Sequence, residues 1–106
     1  MQSLKFEYTL QPRAGGIATQ SIVGVVASGN LEVLIERLLE PHVCSVEIAT
    51  TAIGFDDVWQ AVVADFVERF GTGGLRISIN DGGARPDVVA LRLAQGLRLI
   101  DAIHPA

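Results

Sequence analysis

The sequence predicts an α+β fold, a two-layer sandwich in which two helices cover one face of a sheet of about five mixed or antiparallel strands. Hydrophobic and polar residues alternate in several segments between residues 5 and 51 and again at residues 75–80, as in strands with one buried face. Two later segments carry hydrophobic residues at helical spacing. Because the chain ends in the order strand, helix, strand, helix, we expect both helices on one face of the sheet.

Four strands are expected in the first half of the chain. Residues 5–10 alternate Phe6, Tyr8 and Leu10 with polar residues, and Pro12 marks the loop that follows. The run rich in β-branched residues at 19–26 predicts the second strand, with Gly24 as a bulge or a point of close approach.

The third strand is predicted at residues 31–36, antiparallel to the second, with Leu34 on its otherwise polar side. A connection containing Pro41 leads to the fourth strand at 43–51. A β-meander is the simplest arrangement of these four strands.

The first helix is predicted to begin at Asp56, whose side chain caps it, and to end at Gly71. Its hydrophobic residues form one stripe that we expect to pack on the sheet: Trp59, Val62, Val63, Phe66, Val67 and Phe70.

The last strand is predicted at residues 75–80, followed by a turn at 80–85. Pro86 suits the start of a second helix, which we expect to continue to about Ala102. That helix buries four side chains: Val89, Leu93, Leu97 and Ile100. The whole chain, residues 1–106, is interpreted as a single domain.

A turn between the second and third strands presents a serine. Gly29 and Asn30 separate two β-prone runs and both tolerate positive φ, which predicts a hairpin turn. The hydroxyl of Ser28 is then exposed, and its small neighbours Ala27 and Gly29 leave room for a covalent attachment. The alternative is an ordinary turn residue whose hydroxyl bonds nearby backbone.

The composition excludes several classes of function. The net charge is −4, with Lys5 and seven arginines as the only cations, so nucleic acid is not an expected partner. The sequence contains no membrane-spanning run and does not begin like a signal peptide, which predicts a cytoplasmic protein with no membrane partner. Cys44 is the only cysteine and is expected in the core.

The sequence offers no catalytic constellation. His42 and His104 are expected to be exposed, and neither is spaced for a metal site or a Ser–His–acid triad. In the turn NDGGAR, Asp81 is expected to bond backbone N–H groups, and Arg85 lies beside a helix start, where a phosphate can bind. This turn lacks the residues of known nucleotide-binding loops.

Two segments carry a resemblance to a known family. VASGNLEVLIE at 26–36 resembles the modification site of the malonate decarboxylase acyl carrier (delta) subunit, and INDGGARPDVVALRL at 79–93 resembles that family's second signature. The likeness covers roughly residues 20–98. The acyl carrier (gamma) subunit of citrate lyase is similar and is the nearest competing family.

The resemblance implies a non-catalytic carrier in which Ser28 forms a phosphodiester with 2'-(5''-phosphoribosyl)-3'-dephospho-CoA, with Gly29 keeping the turn accessible. The thiol of this group would carry acetyl and malonyl groups while malonate is converted to acetate and CO2. Candidates for further contacts with the group are Asn30, Asp81 and Arg85. The implied partners are the acetyl/malonyl transferase and decarboxylase subunits and the transferase that attaches the prosthetic group.

Three other functions compete with this one. The chain is alternatively the carrier of a citrate-lyase-like complex, or an unmodified adaptor in which Ser28 is a plain turn residue. A stand-alone hydrolase is disfavoured because Ser28 has no evident base.

Overall fold

The computed structural model describes residues 1–12 and 18–101. They form five strands and two helices, in keeping with the predicted α+β class. The elements in chain order are β1 (Gln2–Thr9), β2 (Gln20–Gly24), β3 (Leu31–Glu36), β4 (Val43–Thr50), α1 (Asp56–Phe70), β5 (Arg76–Asp81) and α2 (Pro86–Asp101).

The five strands form one mixed sheet in the order β1-β4-β5-β3-β2. β4 and β5 are parallel and are connected by α1, whereas every other neighbouring pair is antiparallel. The predicted meander is therefore wrong, because β5 lies between β3 and β4. The crossover through α1 places β5 beside β4, and β5 in turn covers the open edge of β3.

Both helices pack on the same face of the sheet, as predicted. The three central strands each contribute hydrophobic side chains that are almost fully buried, such as Val33, Ile48 and Ile77. All four residues predicted to be buried on α2 are buried. On α1 the stripe is buried at Trp59, Val63, Phe66 and Val67, but Val62 is half-buried and Phe70 is exposed at the end of the helix.

Several elements begin or end at residues other than those predicted. β1 begins at Gln2 rather than Lys5. β2 ends at Gly24, so Val25 and Val26 are exposed outside the strand. The close approach predicted at Gly24 is confirmed, because a Cβ there would lie 2.1 Å from the carbonyl oxygen of Leu31.

The start of α1 differs from the prediction. Asp56 is the first helical residue, Phe55 occupies the N-cap position, and no side chain caps the helix. The Asp56 carboxylate instead accepts a hydrogen bond from Gln2 Nε2 at 2.9 Å. Gly71 ends the helix as predicted, with a φ of 62°.

Cys44 is fully buried, as predicted, and its Sγ accepts a hydrogen bond from Thr72 Oγ1 at 3.0 Å. His42 is exposed, also as predicted, and its Nδ1 lies 3.1 Å from the carbonyl oxygen of Leu10. The prediction for His104 falls outside the described residues. Among those residues, neither helix has the length and hydropathy needed to cross a membrane.

Candidate functional site

The chain between β2 and β3 reverses in a tight turn that contains Ser28. The backbone N–H of Asn30 donates to the carbonyl oxygen of Ala27 at 2.9 Å, which makes Ser28 and Gly29 the two central residues. Gly29 has a φ of 75°, and in the described chain only glycines have positive φ. We predicted Gly29 and Asn30 as the two central residues of the turn, but the central pair lies one residue earlier. This turn needs glycine at only one central position, and Gly29 occupies it.

Ser28 is exposed, and so are its neighbours from Val25 to Gly29. Within the described part of the chain, the Ser28 hydroxyl donates and accepts no hydrogen bond. It therefore does not stabilise the turn through the side-chain bonds that many turn serines make. The geometry leaves the oxygen free for an external group.

The Ser28 turn packs against the loop that follows β5. Gly29 N–H donates to the Gly82 carbonyl at 3.2 Å, and Gly82 N–H donates to the Asn30 carbonyl at 2.9 Å. A Cβ on Gly82 would lie 2.2 Å from the carbonyl oxygen of Ala27, so only glycine permits this approach. The two segments that carry the family resemblance thus meet in space, which the sequence did not predict.

The carboxylate of Asp81 holds this second loop in place. Its Oδ1 accepts from Ala84 N–H at 2.9 Å, and its Oδ2 accepts from Gly83 N–H at 3.0 Å and from the Thr50 hydroxyl at 2.7 Å. The predicted bonding to backbone N–H groups is confirmed. Asp81 is 2 % exposed, and its carboxylate positions the loop through these three hydrogen bonds.

The side chain of Asn30 is also engaged within the protein. Its Oδ1 accepts from the N–H of Leu31 at 2.8 Å and from Arg92 Nε at 3.3 Å. Arg92 further donates from Nη1 to Gln95 Oε1 at 2.9 Å. This places a cation beneath the Ser28 turn that sequence reasoning did not single out, because Arg92 and Asn30 are 62 residues apart and no local pattern links them.

Arg85 lies just before α2 and is highly exposed. Its Nε is 3.3 Å from a carboxylate oxygen of Asp87, an ion pair that is itself exposed and therefore contributes little to stability. Within the described chain, Arg85 makes no hydrogen bond with the Ser28 turn.

The arrangement suits attachment rather than catalysis by Ser28. An activated serine needs a base within hydrogen-bond reach, and none of the described residues supplies one. An attachment site needs an accessible hydroxyl on a firmly held backbone. The Ser28 turn has both properties, because the Gly82 bonds fix its backbone while its hydroxyl stays exposed.

Comparison with known proteins identifies the family. The family model described as the acyl carrier protein of malonate decarboxylase, delta subunit (MdcD), matches residues 18–100. The chain belongs to this family. The matched range contains both the Ser28 turn and the loop after β5.

Curated relatives agree with the family model. The malonate decarboxylase acyl carrier protein of Bradyrhizobium diazoefficiens is 57% identical over 100 residues, with 94% of this chain and 95% of the relative covered. That of Acinetobacter calcoaceticus is 46% identical over 99 residues, with 93% and 96% covered. The predicted membership of the malonate decarboxylase carrier family is confirmed.

A solved structure shares the fold of this delta-subunit family member. It is a chain from the crystal structure of a Pseudomonas malonate decarboxylase hetero-tetramer in complex with malonate. The TM-score is 0.77 at 38% identity, and the match covers 94% of this chain and 99% of that chain. As its relatives are named acyl carrier proteins, this chain is a non-catalytic carrier subunit, as predicted.

Proposed function

We propose that this chain carries acetyl and malonyl groups for malonate decarboxylase on a prosthetic group attached to Ser28 through a phosphodiester. The group is 2'-(5''-phosphoribosyl)-3'-dephospho-CoA, and the overall conversion is malonate to acetate and CO2. The exposed, unbonded hydroxyl of Ser28 on a fixed turn is the observation that carries the proposal.

The protein's own part is to position the attachment oxygen. Gly82 holds the backbone that directly follows Ser28 through its bonds with Gly29 and Asn30, and Asp81 fixes the loop that contains Gly82. When attached, the group supplies a thiol on a long tether, which raises the local concentration of the acyl group at each active site. The absence of bulky side chains at Ala27 and Gly29 leaves the space that this linkage needs.

The partners that we propose are the acetyl/malonyl transferase and decarboxylase subunits of the same complex and the transferase that attaches the prosthetic group. Val25 and Val26 are about half exposed immediately before Ser28. Exposed apolar side chains beside an attachment site suit transient contact with such partners. We further propose that residues 1–106 act as a single carrier domain in the cytoplasm.

The proposal is tested by the intact mass of the chain after co-production with its maturation enzymes. We expect a mass increment equal to one phosphoribosyl-dephospho-CoA group in the wild type and none in Ser28→Ala. Ser3→Ala is the matched control, because Ser3 is also exposed but lies on β1, and it should gain the full increment.

Loss of the hydroxyl should leave folding unchanged, since the Ser28 hydroxyl makes no hydrogen bond with the described residues. Ser28→Ala should therefore unfold at the same urea concentration as the wild type. An unmodified wild-type mass would favour the adaptor function, and an increment that persists in Ser28→Ala would move the attachment to another side chain.

A further inference from the structure

An apolar pocket of about 300 Å³ lies against the loop after β5, the loop that contacts the Ser28 turn. One side is formed by the start of α1, with Phe55, Val58 and Trp59, and the other by the loop after β5, with Gly83 and Ala84. The family assignment does not explain this pocket.

The pocket is close to the attachment residue. Gly82 bonds the backbone of both Gly29 and Asn30, and the residues on either side of Gly82, Asp81 and Gly83, line the pocket. Consecutive Cα atoms are about 3.8 Å apart, so the wall of the pocket begins within a few residue lengths of Ser28. The part of a tethered group nearest its attachment point can therefore reach the pocket.

The walls of the pocket suit a flat ring. Phe55 and Val58 are 52% and 41% exposed, so they present apolar surface that a ligand would remove from water. A volume of about 300 Å³ is at the lower end of small-molecule sites, enough for one ring system but not for a whole coenzyme. Aromatic side chains favour stacked or edge-to-face contact with a planar partner.

The charged residues that line the pocket are Arg85 and Asp81, whose carboxylate is already hydrogen-bonded within the protein. Arg85 lines the pocket, and its ion pair with Asp87 is exposed and weak. Its guanidinium is therefore available to a phosphate of a group whose base lies in the pocket. An apolar side chain from a partner would gain from the apolar walls but not from this cation.

On these grounds, and resting on the proposed function, we infer that the pocket holds the adenine base of the group attached to Ser28. Docking the base would keep the nucleotide end of the arm on the carrier and leave the pantetheine end free to move. Attachment at Ser28, within a few residue lengths of the pocket wall, raises the effective concentration of the base there, so a modest affinity is sufficient.

Trp59 provides a direct test, because it is the only tryptophan of the chain and lines the pocket. We expect a change in Trp59 emission on comparing loaded wild type with Ser28→Ala purified alongside it. Backbone amide shifts should change at Phe55 and Gly83 and stay constant at Ser78, on the opposite face of the sheet.

Two variants separate the pocket from its surroundings. Phe55→Ala removes one wall and should load normally but lose most of the difference in Trp59 emission between the loaded and unloaded forms. Ile53→Ala is the matched control, because Ile53 is 74% exposed on the same connection and does not line the pocket. It should behave like the wild type.

Each outcome has one meaning. If intact mass shows no loading, the proposed function fails and this inference fails with it. If the chain is loaded but Trp59 emission and the pocket amides are unchanged, only the pocket assignment is overturned. Changes that appear only after partner subunits are added would assign the pocket to a partner's side chain instead.

Discussion

Asp81 determines the shape of the loop that faces Ser28. Its carboxylate is buried and accepts three hydrogen bonds, one from the Thr50 hydroxyl and two from the backbone N–H groups of Gly83 and Ala84. Backbone N–H groups that lose a buried acceptor remain unsatisfied, which is more costly than the net gain from forming the bond.

We therefore predict that Asp81→Asn lowers the free energy of unfolding by roughly 1–3 kcal/mol, since the amide NH2 would face donors in place of an acceptor. Urea denaturation measures the change. Asp87→Asn is the control, because the Asp87 side chain is 67% exposed, and it should unfold like the wild type. Equal stability of the two variants would contradict the assigned role of Asp81.

Cys44 makes stability depend on alkaline pH. Burial raises the pKa of the Cys44 thiol above its ordinary value of 9.0, and the hydrogen bond from Thr72 opposes this with a smaller effect. The pKa of Tyr8, the cross-strand neighbour of Cys44, is raised from 10.0 by burial and then by the charge of Cys44. Both groups are therefore held in their neutral forms by the fold.

A group whose pKa is higher in the folded than in the unfolded protein contributes its full stabilisation at pH values below the unfolded pKa. That contribution is lost as the pH rises through the folded pKa. We predict that the free energy of unfolding begins to fall as the pH approaches 9.0, the ordinary Cys value, and keeps falling at higher pH, with a slope per group of at most about 1.4 kcal/mol per pH unit. In Cys44→Ala the fall should be smaller and begin at higher pH, because only Tyr8 contributes. Identical slopes in both proteins would exclude Cys44 as a source.

On α1, the position of a valine along the helix determines whether its side chain is buried. On α1, Val63 is 1% exposed against the sheet, whereas Val58 is 41% exposed near the pocket. The same residue type therefore has two different roles on one helix. Only the residue in the core leaves a cavity when it is shortened.

We expect Val63→Ala to lower the free energy of unfolding by on the order of 2 kcal/mol, from two lost buried methyl groups and the cavity that they leave. Val58→Ala, the matched control with the same chemical change, should lower the free energy of unfolding by only a few tenths of that amount. Thermal unfolding followed by circular dichroism measures both. A larger loss at Val58 would contradict the packing described for α1.

The contact between the Ser28 turn and the loop after β5 joins parts of the chain that lie far apart in sequence. It depends on Gly82, because any side chain there meets the backbone of Ala27, which cannot move aside without opening the turn. Stability and the position of Ser28 are therefore coupled across the molecule.

We predict that Gly82→Ala lowers the free energy of unfolding by about 1–3 kcal/mol through this clash and shifts the amide resonances of Ser28 and Gly29. It should also slow loading of Ser28, as measured by intact mass over time. Asn80→Ala, an exposed change just before Asp81 on β5, should change none of these three properties. Unperturbed Ser28 and Gly29 resonances in Gly82→Ala would show that the two segments are not in contact.

Local patterns predicted the elements correctly where the physical cause is itself local. The alternation in β3 and the stripe in α2 reflect how side chains project from strands and helices, so their burial was predictable. Gly71 ends α1 because the left-handed conformation there favours glycine. The predicted cap of α1 was wrong, because the Asp56 side chain is hydrogen-bonded to Gln2, a residue 54 positions away.

What the sequence alone determined was the α+β class, most of the element types, and a serine turn with small neighbours, because these follow from contacts between residues close in the chain. The tertiary structure decided that β5 lies between β3 and β4, that Gly82 meets the turn of Ser28, and that Arg92 lies beneath it. These arrangements depend on which distant surfaces exclude water together, and no short stretch of sequence encodes that choice.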